Sequence, residues 1–415
     1  MSPASRKKVI FVLIDALGAA YFAAQRSRLP YLSRLMREGV SVASVAPATP
    51  GTSRPGRATM LTGVDTSVHG VYGNSVLDQG RFRPAAAEDV GVTTIAEIAL
   101  AAGLDVAGLG FGLLRPEHTT LYVDPWWEHL AYQGLTNVKI PSSGDIWKVR
   151  RDPDQRLSGL LDEAISAAEG SSPHAGLHPQ MIGLASDQMM LDLAADLACG
   201  DRPPDLILTE FSTTDLVQHY HGFQSAATNW AYQLADMAIG RLLHRLAAAG
   251  RTDDYAVMIA GDHGQGPIRE AIYPETIIPH ERWATEGASL HVLMRDASEA
   301  AAIEASLAGF GVRRLEGEHL PTKARAEGLV TFVAPSGAGF ERRPEGSAAR
   351  DPVGTPTIVS THGLAPGDPY DQAIAIVAGA TKGRELGSGG LRQIAPTIAA
   401  ILGLPGEHFP MASWV

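Results

Sequence analysis

Short, uninterrupted apolar runs that alternate with helical patterns constrain the fold of this chain more than any other feature. The first run, residues 9–14, is β-branched and aliphatic almost throughout and is followed by Asp15 and Gly18. A strand covered by helices on both faces shows such a continuous run, which is typical of parallel sheets. Further apolar runs that predict strands lie at residues 104–109, 206–208, 256–260 and 373–377.

Helical patterns fill the intervals between these runs. Thr94 and Glu97 have the spacing of a capping box and predict the start of a helix. A long helix is predicted at about residues 226–249, and a closing amphipathic helix at residues 394–402. This alternation predicts an α/β fold, a three-layer sandwich around a mostly parallel sheet.

Two stretches interrupt the alternation and predict the domain organisation. Residues 116–186 are rich in Trp, Pro and charge and predict an irregular excursion over the edge of the sheet. Residues 270–350 contain strand and helix patterns of their own and predict a small inserted α/β cap. The core is then formed by residues 1–269 and 351–415.

The composition excludes several classes of partner. The formal net charge is -11 and the pI is near 5.7, so the surface repels nucleic-acid backbones. The single cysteine, Cys199, excludes an intrachain disulfide and is interpreted as a small buried apolar residue. No apolar stretch is long enough for a bilayer, and the basic, apolar start of the chain fits a first strand better than a signal peptide. We therefore expect a cytoplasmic protein without a membrane partner; a homo-oligomer remains open.

Carboxylate and imidazole side chains follow the predicted strands, at the edge where parallel-sheet proteins place reactive groups. These candidates are Asp15, Asp215, His219, Asp262, His263 and His362. Asp215 and His219 are four residues apart, so on a helical turn both side chains point the same way. Such a set of ligands suits a pair of Zn²⁺ ions, although other divalent metals also accept it.

The order of the motifs resembles the type I phosphodiesterase and nucleotide pyrophosphatase branch of the alkaline phosphatase superfamily. The resemblance rests on the blocks V-L-I-D-A-L-G, S-R-P-G-R-A-T-M-L-T-G, H-G-V-Y-G-N, D-L-V-Q-H-Y-H-G, D-H-G and T-H-G. It implies an alkaline-phosphatase-like fold. It also implies a hydrolase that cleaves a phosphodiester, pyrophosphate or related phosphoester bond of a small molecule.

The resemblance also implies a role for each residue. Ser53 is the nucleophile and forms a phospho-serine intermediate. One ion is held by Asp15, Asp262, His263 and Ser53, and the other by Asp215, His219 and His362. The Asn74 amide and the Arg54 backbone N–H hold a non-bridging oxygen of the substrate. Arg57 is expected one helical turn after Ser53, with its charge at the rim of the site, where it is predicted to bind the substrate.

Departures from the family pattern leave an alternative open. The family more often has Thr where Ser53 stands and Asn where Gly56 stands. Ser53 and Arg57 also form an S-x-P-x-R pattern, which resembles the site that sulfatases convert to formylglycine. The alternative is a sulfatase or phosphonate monoester hydrolase with a modified Ser53. A non-catalytic relative fits less well, because ligands and nucleophile are all present.

Two further groups of residues allow two interpretations. Five aromatic residues could form a platform for a substrate ring or could belong to the local core: Tyr72, Phe111, Trp126, Trp127 and Trp147. His69, in the block that contains Asn74, is interpreted as structural.

Overall fold

A ten-stranded sheet organises the described part of the chain. The structure, a computed structural model, describes residues 6–129, 147–157, 160, 179–278, 281–344 and 351–415. The strands are β1 (Lys8–Ile14), β2 (Val40–Ala46), β3 (Ser75–Asp78), β4 (Arg81–Pro84), β5 (Val106–Leu109), β6 (Leu121–Val123), β7 (Val149–Arg151), β8 (Leu206–Phe211), β9 (Tyr255–Ala260), β10 (Gly266–Pro267), β11 (Glu270–Ile272), β12 (Trp283–Glu286), β13 (Ser289–Leu293), β14 (Arg313–Arg314), β15 (Leu329–Val333), β16 (Ala338–Phe340), β17 (Val353–Gly354), β18 (Ser360–Thr361), β19 (Ala373–Ala378), β20 (Arg384–Leu386) and β21 (Gly389–Gly390).

The helices of more than three residues lie between these strands. They are α1 (Ala19–Gln25), α2 (Pro30–Glu38), α3 (Ser53–Thr62), α4 (Thr66–His69), α5 (Ile95–Ala101), α6 (Trp126–His129), α7 (Pro179–Cys199), α8 (Thr213–His221), α9 (Ala226–Ala248), α10 (Ala297–Ala308), α11 (Thr322–Ala326) and α12 (Ile394–Leu402). Among the described residues, no helix combines the length and apolar character that a bilayer crossing requires.

Strand β1 lies near the middle of the large sheet, in the order β20-β2-β19-β9-β1-β8-β5-β6-β7, with β21 also paired to β2. It pairs in parallel with both β8 and β9, so the carboxyl ends of these three strands meet at one edge. Strand β19 is antiparallel to both of its neighbours, and β7 is antiparallel to β6. The remaining pairings are parallel, which confirms the mostly parallel sheet.

Side chains of β1 enter two separate cores because successive strand residues point to opposite faces. Ile10 and Val12 lie in one apolar cluster with residues of α1, α2, α7 and α9. Val9 and Phe11 lie in the other cluster with residues of α3, α5 and α12. Helices therefore cover both faces of the sheet, and the predicted three-layer sandwich is confirmed.

A smaller antiparallel sheet in the order β12-β13-β15-β14 forms within residues 283–333. Its apolar residues join a third cluster, which includes Ile303 and Leu307 of α10. This sheet lies within the predicted cap. Strand β11 pairs with β16 and β17 in another small sheet.

The described part of the predicted excursion contains regular structure. Strands β6 and β7 extend the edge of the large sheet, and helix α7 begins at Pro179. The rest of that prediction, residues 130–146, 158–159 and 161–178, lies outside the described residues.

Candidate active site

Three parallel strands bring five of the six predicted ligands to one place. Asp15 follows β1, and Asp262 and His263 follow β9, the neighbouring strand. Strand β8, on the other side of β1, leads into α8, which carries Asp215 and His219. Because the strands end side by side, residues that are about 250 positions apart in sequence become neighbours.

Asp15, Asp262 and His263 form one group of buried side chains. Nε2 of His263 lies 3.5 Å from Asp15 Oδ1 and 3.6 Å from Asp262 Oδ2. Nδ1 of His263 lies 3.2 Å from the Gly264 carbonyl oxygen. Because a carbonyl oxygen can only accept a hydrogen bond, the proton of the neutral imidazole is placed on Nδ1, and Nε2 presents a lone pair to the site. Asp262 Oδ1 accepts hydrogen bonds from the backbone N–H groups of Ala16 and His263, each at 3.1 Å.

Asp215, His219 and His362 form a second group. Nε2 of His219 lies 3.2 Å from Asp215 Oδ2, as their spacing along a helix predicts. Nδ1 of His219 faces the Ser360 carbonyl oxygen at 2.8 Å, which orients Nε2 toward Asp215. Nε2 of His362 lies 3.9 Å from Asp215 Oδ1. Gln265, which the motifs did not indicate, donates to the same Asp215 oxygen.

His362 reaches the site from outside the large sheet. It follows β18, which pairs with β10 in a two-stranded ladder after β9. The prediction that each ligand follows a strand holds for His362, but the strand is not part of the parallel sheet.

Asp215 connects the two groups. Its ligand atoms lie within 4.8 Å of those of His219 and His362, and also within 4.8 Å of those of Asp15 and His263. The rings of His263 and His362 are 4.4 Å apart between centroids. All six predicted ligands therefore belong to one continuous cluster.

The cluster fits metal ions by distance. Ligands about 2.0–2.1 Å from a tetrahedral ion are separated from one another by about 3.3 Å. The contacts made by His219 and His263 with carboxylate oxygens, 3.2 to 3.6 Å, are close to that separation. Asp15 Oδ1 and His362 Nδ1 are buried and have no hydrogen-bond partner in the described structure, so both atoms remain able to bind a cation.

The electrostatics of the cluster also favour cations. Burial and the neighbouring Asp262 raise the pKa of Asp15, and burial raises the pKa of Asp262 to about 6. Burial lowers the pKa values of His263 and His362, which leaves both imidazoles neutral. Burial opposes ionisation of Asp215, but the adjacent His219 holds the pKa of Asp215 below its ordinary value. A bound cation lowers the electrostatic repulsion between carboxylates that are crowded beside neutral imidazoles.

Ser53 lies against this cluster. It is the first residue of α3, and its Oγ lies 3.2 Å from Nε2 of His263. The preceding Thr52 is fully buried, and its hydroxyl has no hydrogen-bond partner among the described residues. Of these two hydroxyls, only that of Ser53 contacts a predicted ligand through a hydrogen bond.

Asn74 is held beside Ser53 by the backbone. Its Oδ1 accepts a hydrogen bond from the Arg54 N–H at 2.9 Å. The prediction that this N–H points to the substrate is therefore corrected: in this structure it orients the Asn74 side chain. The amide nitrogen Nδ2 of Asn74 makes no hydrogen bond to the described residues and remains a donor for a ligand.

Arg57 is not at the rim of the site, and that prediction is wrong. Its guanidinium is only 1% exposed and donates to Asp15 Oδ2 at 2.7 Å, Asp262 Oδ2 at 3.3 Å and Glu210 Oε2 at 2.8 Å. Although burial opposes its charge, Glu210 and the two aspartates raise the pKa of Arg57. Arg57 is buried because it is surrounded by carboxylates, and it has no exposed surface for a substrate.

Glu210 is a site residue that sequence reasoning missed. It is buried in β8 and accepts hydrogen bonds from Trp127 Nε1 at 2.5 Å and Ser212 Oγ at 2.6 Å, besides those from Arg57. Arg57 lowers the pKa of Glu210 against the effect of burial. The available signal was a glutamate inside the apolar run L-I-L-T-E-F, because a charge in a buried strand requires a partner.

The aromatic residues belong to the core. Tyr72, Phe111, Trp126, Trp127 and Trp147 are each at most 8% exposed. Trp127 is near two cations, with the Arg54 and Arg57 guanidinium carbons 5.0 and 5.4 Å from its ring centroid. His69 is also buried, with Nε2 3.0 Å from Thr59 Oγ1, as its structural interpretation predicts.

Residues 9–328 match the model of the type I phosphodiesterase / nucleotide pyrophosphatase family. The chain belongs to this family. The matched range spans Ser53, Asn74 and every predicted ligand except His362, which lies beyond it. No curated protein sequence matches the chain significantly.

Solved structures with the same fold include ectonucleotide pyrophosphatase / phosphodiesterases. Human ectonucleotide pyrophosphatase / phosphodiesterase 5 superimposes with a TM-score of 0.65 at 14% identity, over 96% of each chain. The murine protein, and an inactive variant of it in complex with AMP, give the same TM-score and coverage at 15% identity. At these identities the likeness concerns the fold.

Gly56 is one place where this type I phosphodiesterase family member departs from the expected pattern. A Cβ at Gly56 would lie 2.8 Å from Cβ of Asp262. The glycine therefore allows α3, which carries Ser53, to approach Asp262 closely. An asparagine there would require α3 or the Asp262 loop to move.

Proposed function

We propose that this protein is a metal-dependent hydrolase that cleaves a phosphodiester, pyrophosphate or related phosphoester bond of a small molecule through a phospho-serine intermediate on Ser53. The observation that carries the proposal is the position of Ser53 Oγ, 3.2 Å from His263 Nε2 in a cluster of six carboxylate and imidazole groups. Membership of the type I phosphodiesterase / nucleotide pyrophosphatase family supports the same reaction class.

Two zinc ions fit the ligand sets that the sequence predicts. Asp15, Asp262 and His263 would hold one ion next to Ser53. Asp215, His219 and His362 would hold the other. When bound, such ions supply positive charge that activates a hydroxyl and stabilises the oxygens of a transferring phosphoryl group.

The protein's own groups then arrange the substrate. Ser53 Oγ attacks phosphorus while the bond from phosphorus to the leaving oxygen breaks. The Ser53 proton passes through solvent to the leaving oxygen, which departs as the hydroxyl of the released alcohol or phosphate. Asn74 Nδ2 donates to a non-bridging oxygen, where negative charge increases in the transition state. Water then cleaves the phospho-serine bond and restores the Ser53 hydroxyl, so one water is consumed per turnover.

Asn74 replaces donors that a helix N-terminus ordinarily offers. Pro55 has no N–H, the Arg54 N–H is directed to Asn74, and the Gly56 N–H bonds to Thr52 O at 3.0 Å. The start of α3 therefore presents few free amides to an anion. The Asn74 side chain donates to the anion instead, and the Arg54 N–H at the start of α3 orients that side chain.

A nucleotide is the substrate class we favour. A murine protein of the same fold was solved with AMP, and the family includes nucleotide pyrophosphatases. The buried aromatic residues described above argue against a large stacking platform beneath the site, so recognition is expected to centre on the phosphoryl group.

Nitrophenyl esters test the proposal. The zinc-loaded protein should release nitrophenol from a phosphodiester, and Ser53→Ala should abolish this release without removing the metal. Ser53→Thr should retain activity, because threonine is the commoner nucleophile of the family. Preferential hydrolysis of nitrophenyl sulfate or a phosphonate monoester, with an intact mass lower by two hydrogen atoms at Ser53, would instead establish the formylglycine alternative.

A further inference from the structure

The tight turn between β12 and β13 reaches from the predicted cap into the candidate active site. Glu286 pairs with Ser289 across the hairpin, so Gly287 and Ala288 form a two-residue turn. Gly287 has φ of +71°, which glycine adopts without strain. Glu286 is 1% exposed and Ser289 is fully buried, so the turn is enclosed by other parts of the protein.

Glu286 holds the loop that carries Asn74. Its two carboxylate oxygens accept hydrogen bonds from consecutive backbone N–H groups, at 2.6 Å from Asn74 N and 2.8 Å from Ser75 N. Such a two-point contact to one carboxyl group restricts both the position and the rotation of the peptide. The approach is close: a Cβ at Gly73 would lie 3.0 Å from Glu286 Oε1 and 2.7 Å from His291 Nε2.

The same turn is anchored on the segment of His362. Ala288 N donates to His362 O at 2.9 Å, and Ser289 Oγ donates to Gly363 O at 2.7 Å. A Cβ at Gly363 would lie 2.2 Å from Glu286 O, so the two backbones are in direct contact. The turn therefore lies between a predicted metal ligand on one side and the substrate-binding amide on the other.

We propose that Glu286 is a positioning residue, which sets the location of Asn74 relative to the metal cluster by joining the Asn74 loop to a turn anchored at His362. This inference rests on the proposed function for the role of Asn74. It adds that a residue of the inserted cap, outside the motifs of the core, controls how the substrate phosphoryl group is held. A small displacement of Asn74 moves its donor away from the oxygen on which charge develops.

Glu286→Gln tests the inference with little change in shape. A glutamine amide faces the two N–H donors with one acceptor oxygen and one donor nitrogen, so one of the two bonds is lost. We expect kcat for a nitrophenyl phosphodiester to fall at least about tenfold, with KM changed less. The matched control is Glu341→Gln: Glu341 is another buried carboxylate that accepts from consecutive backbone N–H groups, at Thr357 and Ile358, and it does not contact Asn74. This control should leave kcat unchanged.

A double-mutant cycle separates positioning from general stabilisation. If Glu286 acts through Asn74, Glu286→Gln should have almost no further effect on kcat in an Asn74→Ala background. An equal loss in both backgrounds, or no loss in the wild-type background, would overturn the inference. Glu286→Asp, whose shorter side chain keeps the charge and both oxygens, should recover part of the activity.

Binding of AMP to the zinc-loaded protein provides a readout without turnover. Calorimetry should show weaker AMP binding for Glu286→Gln in the wild-type background and no further weakening in Asn74→Ala. If the protein hydrolyses no phosphoester but this coupling is present, the proposed function fails and the positioning role stands. If hydrolysis occurs and coupling is absent from both measurements, the positioning role fails alone.

Discussion

Arg57 donates a 2.7 Å hydrogen bond from Nη2 to Oδ2 of Asp15, a predicted metal ligand. The same guanidinium binds Glu210 and Asp262, so one buried cation connects two predicted ligands to Glu210, which is not among the predicted ligands. Asp15 keeps Oδ1 without a hydrogen bond among the described residues. The arginine thus uses one oxygen of Asp15 and leaves the other for an ion.

Replacing this cation should destabilise the protein strongly. Arg57→Met leaves three buried carboxylates without their partner, and breaking a buried ion pair from one side costs about 3–5 kcal/mol. Adding Glu210→Gln removes one of the uncompensated charges and should recover part of the free energy of unfolding. Urea unfolding of the single and double variants measures this. If the two substitutions lowered the free energy of unfolding by strictly additive amounts, the predicted interaction between Arg57 and Glu210 would be contradicted.

Removing the Asn74 amide should affect catalysis rather than metal binding. Asn74→Ala deletes the donor Nδ2, and loss of one oxyanion donor lowers kcat by about 10²–10³-fold. Steady-state kinetics with a nitrophenyl phosphodiester gives the change, and metal analysis of the same sample should show unchanged content. A variant as active as the wild type would remove Asn74 from the substrate site.

Asp215 should influence both metal positions. A carboxylate oxygen of Asp215 lies within 4.8 Å of the ligand atoms of both groups, whereas His219 belongs to only one of these groups. We therefore expect Asp215→Asn to lower the metal bound at both positions, and His219→Ala to lower it at one. Metal content after dialysis against limiting zinc distinguishes the two variants. Removal of all metal by a chelator should also lower the melting temperature, since a ligand that binds only the folded state stabilises it.

His69 should make stability depend on pH. Burial lowers its pKa from 6.5 to about 3, so it stays neutral in the folded protein over a range in which the unfolded chain binds a proton. The stability that it contributes is complete above about 6.5 and is lost progressively as the pH falls toward about 3. Unfolding midpoints of the wild type and His69→Gln, measured between pH 7 and pH 4, should converge on acidification. Parallel curves would show that His69 is not the responsible group.

Much of the fold was predictable from local patterns. The apolar run at residues 9–14 became β1, the capping box of Thr94 and Glu97 begins α5, and the closing helix spans Ile394–Leu402 as predicted. Helix periodicity and capping act over a few residues, so the chain reveals them directly. Strand β2 was missed, and the antiparallel direction of β19 was not visible, because strand direction depends on partners distant in sequence.

The sequence indicated the candidate ligands because each follows an apolar strand or lies in a short motif, and because six such residues in a fixed order resemble a family pattern. Arg57, Glu210 and Glu286 were misplaced or missed. The partners of Arg57 lie 42, 153 and 205 residues away along the chain, and no local spacing encodes such contacts. Glu286 reaches Asn74 from the predicted cap, a segment that carries no recognisable motif.

The amino-acid sequence by itself determined much of the secondary structure of the core, the candidate cation-binding groups and the candidate nucleophile, because periodicity and side-chain chemistry are local properties. Only the tertiary structure decided which carboxylates remain available to metals and which are neutralised by Arg57. It also decided that the Arg54 N–H orients Asn74 and that Glu286 holds the Asn74 loop. These outcomes depend on burial, which raises the free energy of every unpaired charge and polar group and so selects one arrangement of distant partners.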